Sequence, residues 1–164
     1  AAAFFTKPLT ITEGGKERQD SVSNGAALCG DAEYIAVHDA ARPFITPEEI
    51  ETVCADAEKY GAATLAVPVK DTIKVAAADG TVCATPERST LRAIQTPQVF
   101  QADLIKAALT NAMRKHLAIT DDCSAVEQLR VKPVVTQGSD ENLKITTPID
   151  IDLAESILRR RGGA

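Results

Sequence analysis

Short β-branched runs alternate along the chain with stretches in which apolar residues recur every three or four positions, the pattern of βαβ units around a mostly parallel sheet. Leu9–Thr12 reads as a first strand, broken by Gly14-Gly15, and Val22 with Ala26 four positions on places a helix over Lys16–Leu28. Tyr34–Val37 reads as a buried strand that ends at the polar run His38-Asp39-Ala40-Ala41-Arg42-Pro43. Thr46-Pro47-Glu48-Glu49 supplies an N-cap, a proline at the first helical position and two carboxylates in the first turn. The helix that follows runs to about Tyr60, where Gly61 stops it. Ala63–Val67 reads as a central strand. Thr72–Val75 and Thr81–Ala84 flank the turn Ala78-Asp79-Gly80 and form a hairpin polar enough to project from the sheet. Such a pair is unstable alone, so it is expected to pack on a second subunit. Leu91–Ile94 returns to the sheet, and Gln101–Lys115 is a long amphipathic helix. Thr120-Asp121-Asp122 caps a helix through Leu129, and Val131–Thr136 and Leu143–Ile145 read as late strands. Thr147-Pro148-Ile149-Asp150 resembles a capping box for a final helix ending in Arg159–Arg161. No repeat, low-complexity tract or linker divides residues 1–164. The expectation is one α/β domain with an arm at 70–88.

Composition narrows the function classes. With 45% apolar and 25% charged residues over 164 positions, the chain has the make-up of an ordinary globular domain. A net charge of −5 gives no basic field for nucleic acid, and no apolar run is long enough to span a bilayer. Ala1–Phe5 is too short, and lacks the basic flank, to be a signal peptide. Cys29, Cys54, Cys83 and Cys123 lie far apart without a CxxC, and His38 and His116 add little to a metal site. Free, buried thiols in a reducing cytoplasm are the expectation, with no protein metal ligands.

Ligands of open α/β sheets bind beyond the carboxyl ends of the strands. Asp39 and Arg42 follow one strand, Thr96 follows Ile94, and Thr120 opens a helix whose free N–H groups suit an anion. Lys144 interrupts an apolar run that a strand interior would keep apolar. With Arg42 and Arg88 it would suit a phosphate dianion. Plainer readings stand beside these. Arg42 could simply pair with Asp39, Lys144 could blunt an edge strand, Arg88 could be a solvated loop cation, and Thr120 could be no more than a cap. His38 reads as a satisfied strand-end residue rather than a base. Gly14-Gly15 carries neither dinucleotide nor triphosphate glycine spacing. The residues alone describe an anion-binding α/β domain.

Six ordered segments make the pattern specific. They are Gly14-Gly15-Lys16-Glu17-Arg18-Gln19-Asp20-Ser21-Val22, Val37-His38-Asp39-Ala40-Ala41-Arg42-Pro43 and Pro68-Val69-Lys70-Asp71-Thr72-Ile73-Lys74, then Gln95-Thr96-Pro97-Gln98-Val99-Phe100, Thr120-Asp121-Asp122 and Asn142-Leu143-Lys144-Ile145-Thr146. Together they resemble the 2-C-methyl-D-erythritol 4-phosphate cytidylyltransferases of the non-mevalonate isoprenoid pathway. The resemblance implies a three-layer, Rossmann-like nucleotidyltransferase sheet that dimerises through a projecting β-hairpin arm. It implies transfer of CMP from CTP to the sugar-alcohol phosphate with release of pyrophosphate, helped by Mg²⁺ held mainly by the CTP phosphates. By the matching motifs, Gly14, Gly15 and Ser21 would line the cytidine pocket, with Asp39 and Ala40 near the ribose and reacting phosphates. Asp39, Arg42, Thr96, Thr120 and Lys144 would hold the methylerythritol phosphate, and Thr72 and Arg88 would reach that pocket in the partner subunit. Lys144 and Arg88 would be catalytic, aiming an attacking phosphate that needs no general base. The location implied is the cytoplasm, or the plastid stroma in a plant or alga.

The family also begins with a strand and a glycine-rich loop bearing basic residues, and nothing of that kind precedes Leu9. The expectation is that the family's first strands would sit between Leu9–Thr12 and Tyr34–Val37, and that a polypeptide of these residues alone is inactive. Two rival readings differ in substrate or class: a ribitol-5-phosphate cytidylyltransferase, which shares the HDAxRP, QTPQ and KIT motifs, and a non-catalytic dimerisation or phosphate-binding half.

Overall fold

The computed structural model describes residues 7–162, so the reading of Ala1–Phe5 lies outside the described residues. Its centre is a four-stranded sheet built from β1 (Tyr34–Val37), β2 (Ala62–Pro68), β5 (Arg92–Gln101) and β6 (Val134–Gln137), in the order β1-β5-β2-β6. The sheet is mixed rather than mostly parallel. β2 and β6 pair in parallel, but β5 lies antiparallel to both of its neighbours. Three strands therefore point one way, and the central one brings its first half to their carboxyl ends.

The pleat of the strands makes three layers. Ile35, Ala62 and Phe100 face α3 (Ala102–Arg114) and α4 (Asp122–Glu127), with α1 (Arg18–Ala27) packed alongside α3. Ala63, Leu65 and Val99 face α2 (Pro47–Tyr60), whose Val53 and Ala57 are fully buried. Successive residues of β5 thus enter opposite cores, as a period of two demands. A third, smaller cluster joins Phe44 to Ala154 and Ile157 of α5 (Pro148–Arg160).

Most boundaries follow local chemistry. Thr46 caps α2 by accepting from the Glu49 N–H at 3.2 Å while Glu49 reaches back to Thr46 at 3.0 Å. Gly61 ends that helix at φ 83°, a left-handed conformation that glycine takes without steric cost. At α5 the Asp150 carboxylate accepts from the backbone N–H groups of Thr146 and Thr147 at 2.9 and 2.7 Å. The Thr146 and Thr147 N–H groups, with both hydroxyls, hold the Asp150 carboxyl below its ordinary range. Its contribution is present above the ordinary carboxyl value and is lost as pH falls through the lowered folded value. An Asp150→Asn variant should therefore melt below the wild type at pH 7, and the gap between the two should begin to close once the pH drops below about 4. A gap that stays constant as the pH falls below about 4 would contradict this.

Several expectations are corrected. Leu9–Thr12 forms no strand: no described strand pairs with it, and Ile11 is 86% exposed. The outer edge of β1 is likewise unpaired among the described residues. The segment Leu143–Ile145 is also not a strand. Its one sheet-like bond runs from the Ile145 N–H to the Ala41 carbonyl, while Leu143 and Ile145 pack on the Phe44 cluster. Lys144 is consequently not an edge-strand residue; it points away from that cluster. β6 starts at Val134 rather than Val131, directly after Pro133, which has no N–H for a ladder. Thr96 lies inside β5 rather than after a strand ending at Ile94. The cap of α4 is Asp121, not Thr120: the Asp121 carboxylate accepts from the Ser124 N–H at 2.9 Å. Of the four free cysteines only Cys123 is buried, and Cys29 and Cys83 are exposed.

The hairpin forms as β3 (Val75–Ala76) and β4 (Val82–Ala84), shorter than the sequence suggested. Gly80 takes φ 85° in the turn, and the Asp79 carboxylate accepts from the Thr81 N–H. Both strands are exposed on both faces.

Candidate functional site

A cavity of about 520 Å³ opens where the carboxyl ends of β1 and β6 meet the first half of β5. Its floor continues the α4-facing side of the sheet. Beyond the apolar Ala62 and Phe100, that side carries Thr64, Gln98 and Thr96, with Ile94 and Val135 towards the mouth.

Asp39 is the electrostatic centre of this cavity. Its Oδ2 lies 2.9 Å from Lys144 Nζ and 3.7 Å from Arg42 Nε, and its Oδ1 lies 3.7 Å from an Arg18 guanidinium nitrogen. Burial opposes ionisation of Asp39, but the hydrogen bond and charge of Lys144, with Arg18 and Arg42, outweigh it and hold the carboxyl below its ordinary value. Three cations thus face this one carboxylate, while Arg18 is also paired with Asp122 and the carboxylates of Asp121 and Glu127 line the same cavity. Burial pushes the Arg42 guanidinium down, and Asp39 offsets only part of this. Arg42 donates to the Asn142 carbonyl at 2.8 Å, while its buried Nε has no hydrogen-bond partner among the described residues.

A framework of buried polar groups holds these side chains. The Asp39 N–H donates to the Thr96 hydroxyl at 2.9 Å, and that hydroxyl lies 3.0 Å from His38 Nδ1. His38 Nε2 in turn lies 3.0 Å from the Arg42 carbonyl, an acceptor that requires the proton on Nε2. Both ring nitrogens are occupied, so His38 is the satisfied residue its position suggested. On the other wall, fully buried Asn142 donates to the Thr96 carbonyl at 2.9 Å and fixes the loop that carries Lys144. Gly138 opens that loop close against β2, donating to the Ala66 carbonyl; a Cβ there would collide with Gln95.

The third wall is the start of α4. The Gln98 side-chain carbonyl accepts from the Asp122 and Cys123 N–H groups at 3.1 and 3.0 Å, and its amide donates to Asp121 at 2.7 Å. Asp122 has no exposed side-chain surface and is gripped by the Arg18 fork, through two bonds of 3.0 and 2.7 Å. That hydrogen bond holds the Arg18 guanidinium above its ordinary value. Burial, reinforced by Asp121, pushes the Cys123 thiol up, so this cysteine is an inert wall residue. Thr120 stands at the rim, its N–H donating to Ser124 Oγ at 3.1 Å.

The structure therefore brings Asp39, Arg42, Thr96, Thr120 and Lys144 together. It leaves Gly14, Gly15, Ser21 and Ala40 off the cavity wall. Gly15 donates to Ser21 Oγ at 2.9 Å in the turn before α1, and a Cβ at Gly15 would collide with Asp20. Thr72 and Arg88 lie on the exposed arm, where Arg88 donates to the Lys70 carbonyl at 3.0 Å. Arg18, Gln98, Asp122 and Asn142 were not singled out by sequence. All four lie within the six quoted segments without a role given to them there, and Arg18 and Asp122 are partners 104 residues apart. Among the described residues no three His, Cys, Asp or Glu side chains group closely enough to hold a metal ion, and no helix is long and apolar enough to cross a membrane.

Comparison with known proteins places this geometry among relatives. A family model described as 2-C-methyl-D-erythritol 4-phosphate cytidylyltransferase matches residues 2–160. A protein of that name from Pelotomaculum thermopropionicum is 49% identical over 158 residues, which cover 96% of this chain and 66% of the relative. Another from Desulforamulus reducens is 47% identical over 159 residues, covering 96% of this chain and 68% of the relative. The chain thus spans about two thirds of the length of these relatives. Among solved structures, 4-diphosphocytidyl-2C-methyl-D-erythritol synthase from Anaerococcus prevotii superposes with a TM-score of 0.89 at 31% identity, over 96% of this chain and 73% of the other.

Proposed function

The chain belongs to the 2-C-methyl-D-erythritol 4-phosphate cytidylyltransferase family, and we propose that its charged cavity holds the sugar phosphate onto which CMP is moved from CTP in isoprenoid precursor synthesis. The observation that carries this reading is the convergence of Lys144, Arg42 and Arg18, from three separate segments, on Asp39 at one cavity. A phosphate dianion entering there would take Lys144 Nζ and the Arg42 N–H groups as donors, with the Thr96 and Thr120 hydroxyls at its sides. The attacking atom is an oxygen of the sugar phosphate itself. It forms a bond to the α-phosphorus of CTP as the bond to the leaving pyrophosphate breaks, so no base is required. What the residues supply is position and compensation of charge. Mg²⁺ brought by the nucleotide would offset repulsion between the two anions, with no metal ligand required from the described side chains.

The turn Gly14–Ser21 and Ala40 would meet the cytidine and ribose, beside the cavity rather than within it. Thr72 and Arg88 would complete a neighbouring subunit's site through the 70–88 arm, making the domain a homodimer. That part of the proposal is supported by their distance from this chain's cavity and by the half-exposed Ile73, Val75 and Val82 along the arm. Four unpaired thiols support a reducing compartment, the cytoplasm or plastid stroma. The unpaired outer edge of β1 supports docking of the family's N-terminal strands there, with the glycine-rich loop they carry.

A polypeptide limited to residues 1–164 should bind 2-C-methylerythritol 4-phosphate in calorimetric titration, more tightly than ribitol 5-phosphate, while releasing no pyrophosphate from CTP. Preference for ribitol phosphate would move the substrate assignment to the rival family. Turnover by these residues alone would show that the glycine-rich loop is dispensable.

A further inference from the structure

The resemblance gives roles to Asp39, Arg42 and Lys144 but none to the pair behind them, although Arg18 and Asp122 both lie within its segments. Arg18 is the first residue of α1 and Asp122 the first of α4, and their fork-on-carboxylate contact joins the two helix starts across 104 positions. A carboxylate with no exposed surface would carry a large penalty if it lacked a partner, so Arg18 cannot leave Asp122 without cost. Lys144 is different. Its side chain is about as exposed as that of Arg18, but it sits on a loop, and among the described residues its ion pair is with partly exposed Asp39 rather than with a fully buried carboxylate, so it is free to swing to a ligand.

We propose that Arg18 is the positioning residue of the anion site: locked onto buried Asp122, it stays beside Asp39 as the fixed counter-charge when Lys144 and Arg42 turn to an incoming phosphate. This rests on the phosphate-site reading above. Before binding, Asp39 is compensated on Oδ2 by Lys144 and Arg42 and on Oδ1 by Arg18. A phosphate that recruits the first two would leave a carboxylate facing an anion. Arg18 alone then separates that charge from an uptake of a proton. The other charged or titratable groups around Asp39 offer no substitute. His38 has both ring nitrogens engaged, and Asp121 and Asp122 are acidic and lie behind Arg18. The Thr96 hydroxyl, already accepting the Asp39 N–H, is neutral.

The test removes Arg18 without stranding Asp122. The double variant Arg18→Met/Asp122→Asn is titrated with 2-C-methylerythritol 4-phosphate at pH 7, in two buffers of different ionisation enthalpy, beside the wild type. The expected result is about tenfold weaker binding, together with extra proton uptake relative to the wild type, because Asp39 must protonate to accept the anion. A merely structural role would lower the melting temperature and leave the proton count unchanged. If the double variant does not fold, Asp122→Asn alone serves. It keeps the Arg18 charge but frees it from its clamp, and a several-fold loss of affinity is expected. A folded variant with wild-type affinity and wild-type proton uptake overturns the inference but leaves the phosphate site standing. Wild-type protein that takes up no sugar phosphate overturns both.

Discussion

Replacing Lys144 with methionine should weaken binding of 2-C-methylerythritol 4-phosphate by about 10²-fold, the equivalent of about 3 kcal/mol, and should barely move the melting temperature. The two halves of that expectation have different causes. Affinity falls because the substitution deletes a cation and at the same time uncovers Asp39, whose Oδ2 has Lys144 as its nearest charge at 2.9 Å. Stability hardly changes because the lysine is half exposed and Arg18 and Arg42 still face the carboxylate. Methionine keeps the length of the stem, so the loop pinned by Asn142 has no reason to repack. Calorimetric titration and a thermal melt on the same preparation decide the matter. A variant that binds normally would show that Lys144 only screens Asp39 and never meets the ligand.

Gln98→Leu should be the most damaging conservative exchange in the sheet. The side chain is 1% exposed and makes three hydrogen bonds, two from α4 backbone N–H groups and one to the cap residue Asp121. Leucine fills the volume but leaves two buried N–H groups and a carboxylate oxygen without partners, a loss of about 3–5 kcal/mol. The first turn of α4 should then open. Amide hydrogen exchange at Asp122 and Cys123 should rise far more than at Phe100, one turn of the pleat away, and Thr120 should drift from the rim. Uniform acceleration across the domain would mean that Gln98 supports the core generally and not the helix start.

What could be read from the sequence divides along the distance between interacting residues. Helix limits set by neighbours were legible: Thr46, Pro47 and Glu49 define the start of α2, Gly61 its end, and Asp150 the start of α5. Strand identity that depends on a distant partner was not. Leu9–Thr12 has the composition of a strand but no described strand beside it to pair with, and Leu143–Ile145 has the right alternation but spends it on the Phe44 cluster. The direction of β5 was hidden for the same reason, because composition does not record which way a strand enters a sheet. At the site, ordered motifs led to Asp39, Arg42, Thr96, Thr120 and Lys144, whereas the Arg18–Asp122 fork emerged only from the folded chain. Its two ends announce nothing alone: an arginine and an aspartate in first helical turns are ordinary surface chemistry.

The alternation of β5 also constrains how the gene can change. Val99 belongs to the core under α2, while Gln98 and Phe100 belong to the opposite face with α4. Deleting or inserting a single codon between positions 92 and 101 would turn every later residue of the strand over. Val99 would be carried to the helix start and an amide into the apolar layer, so core and cavity would fail together. The turn at Ala78–Gly80, exposed on all sides, faces no such rule. Among descendants of this sequence, length should drift freely at the tip of the arm and stay frozen along β5, even where the residues themselves are exchanged.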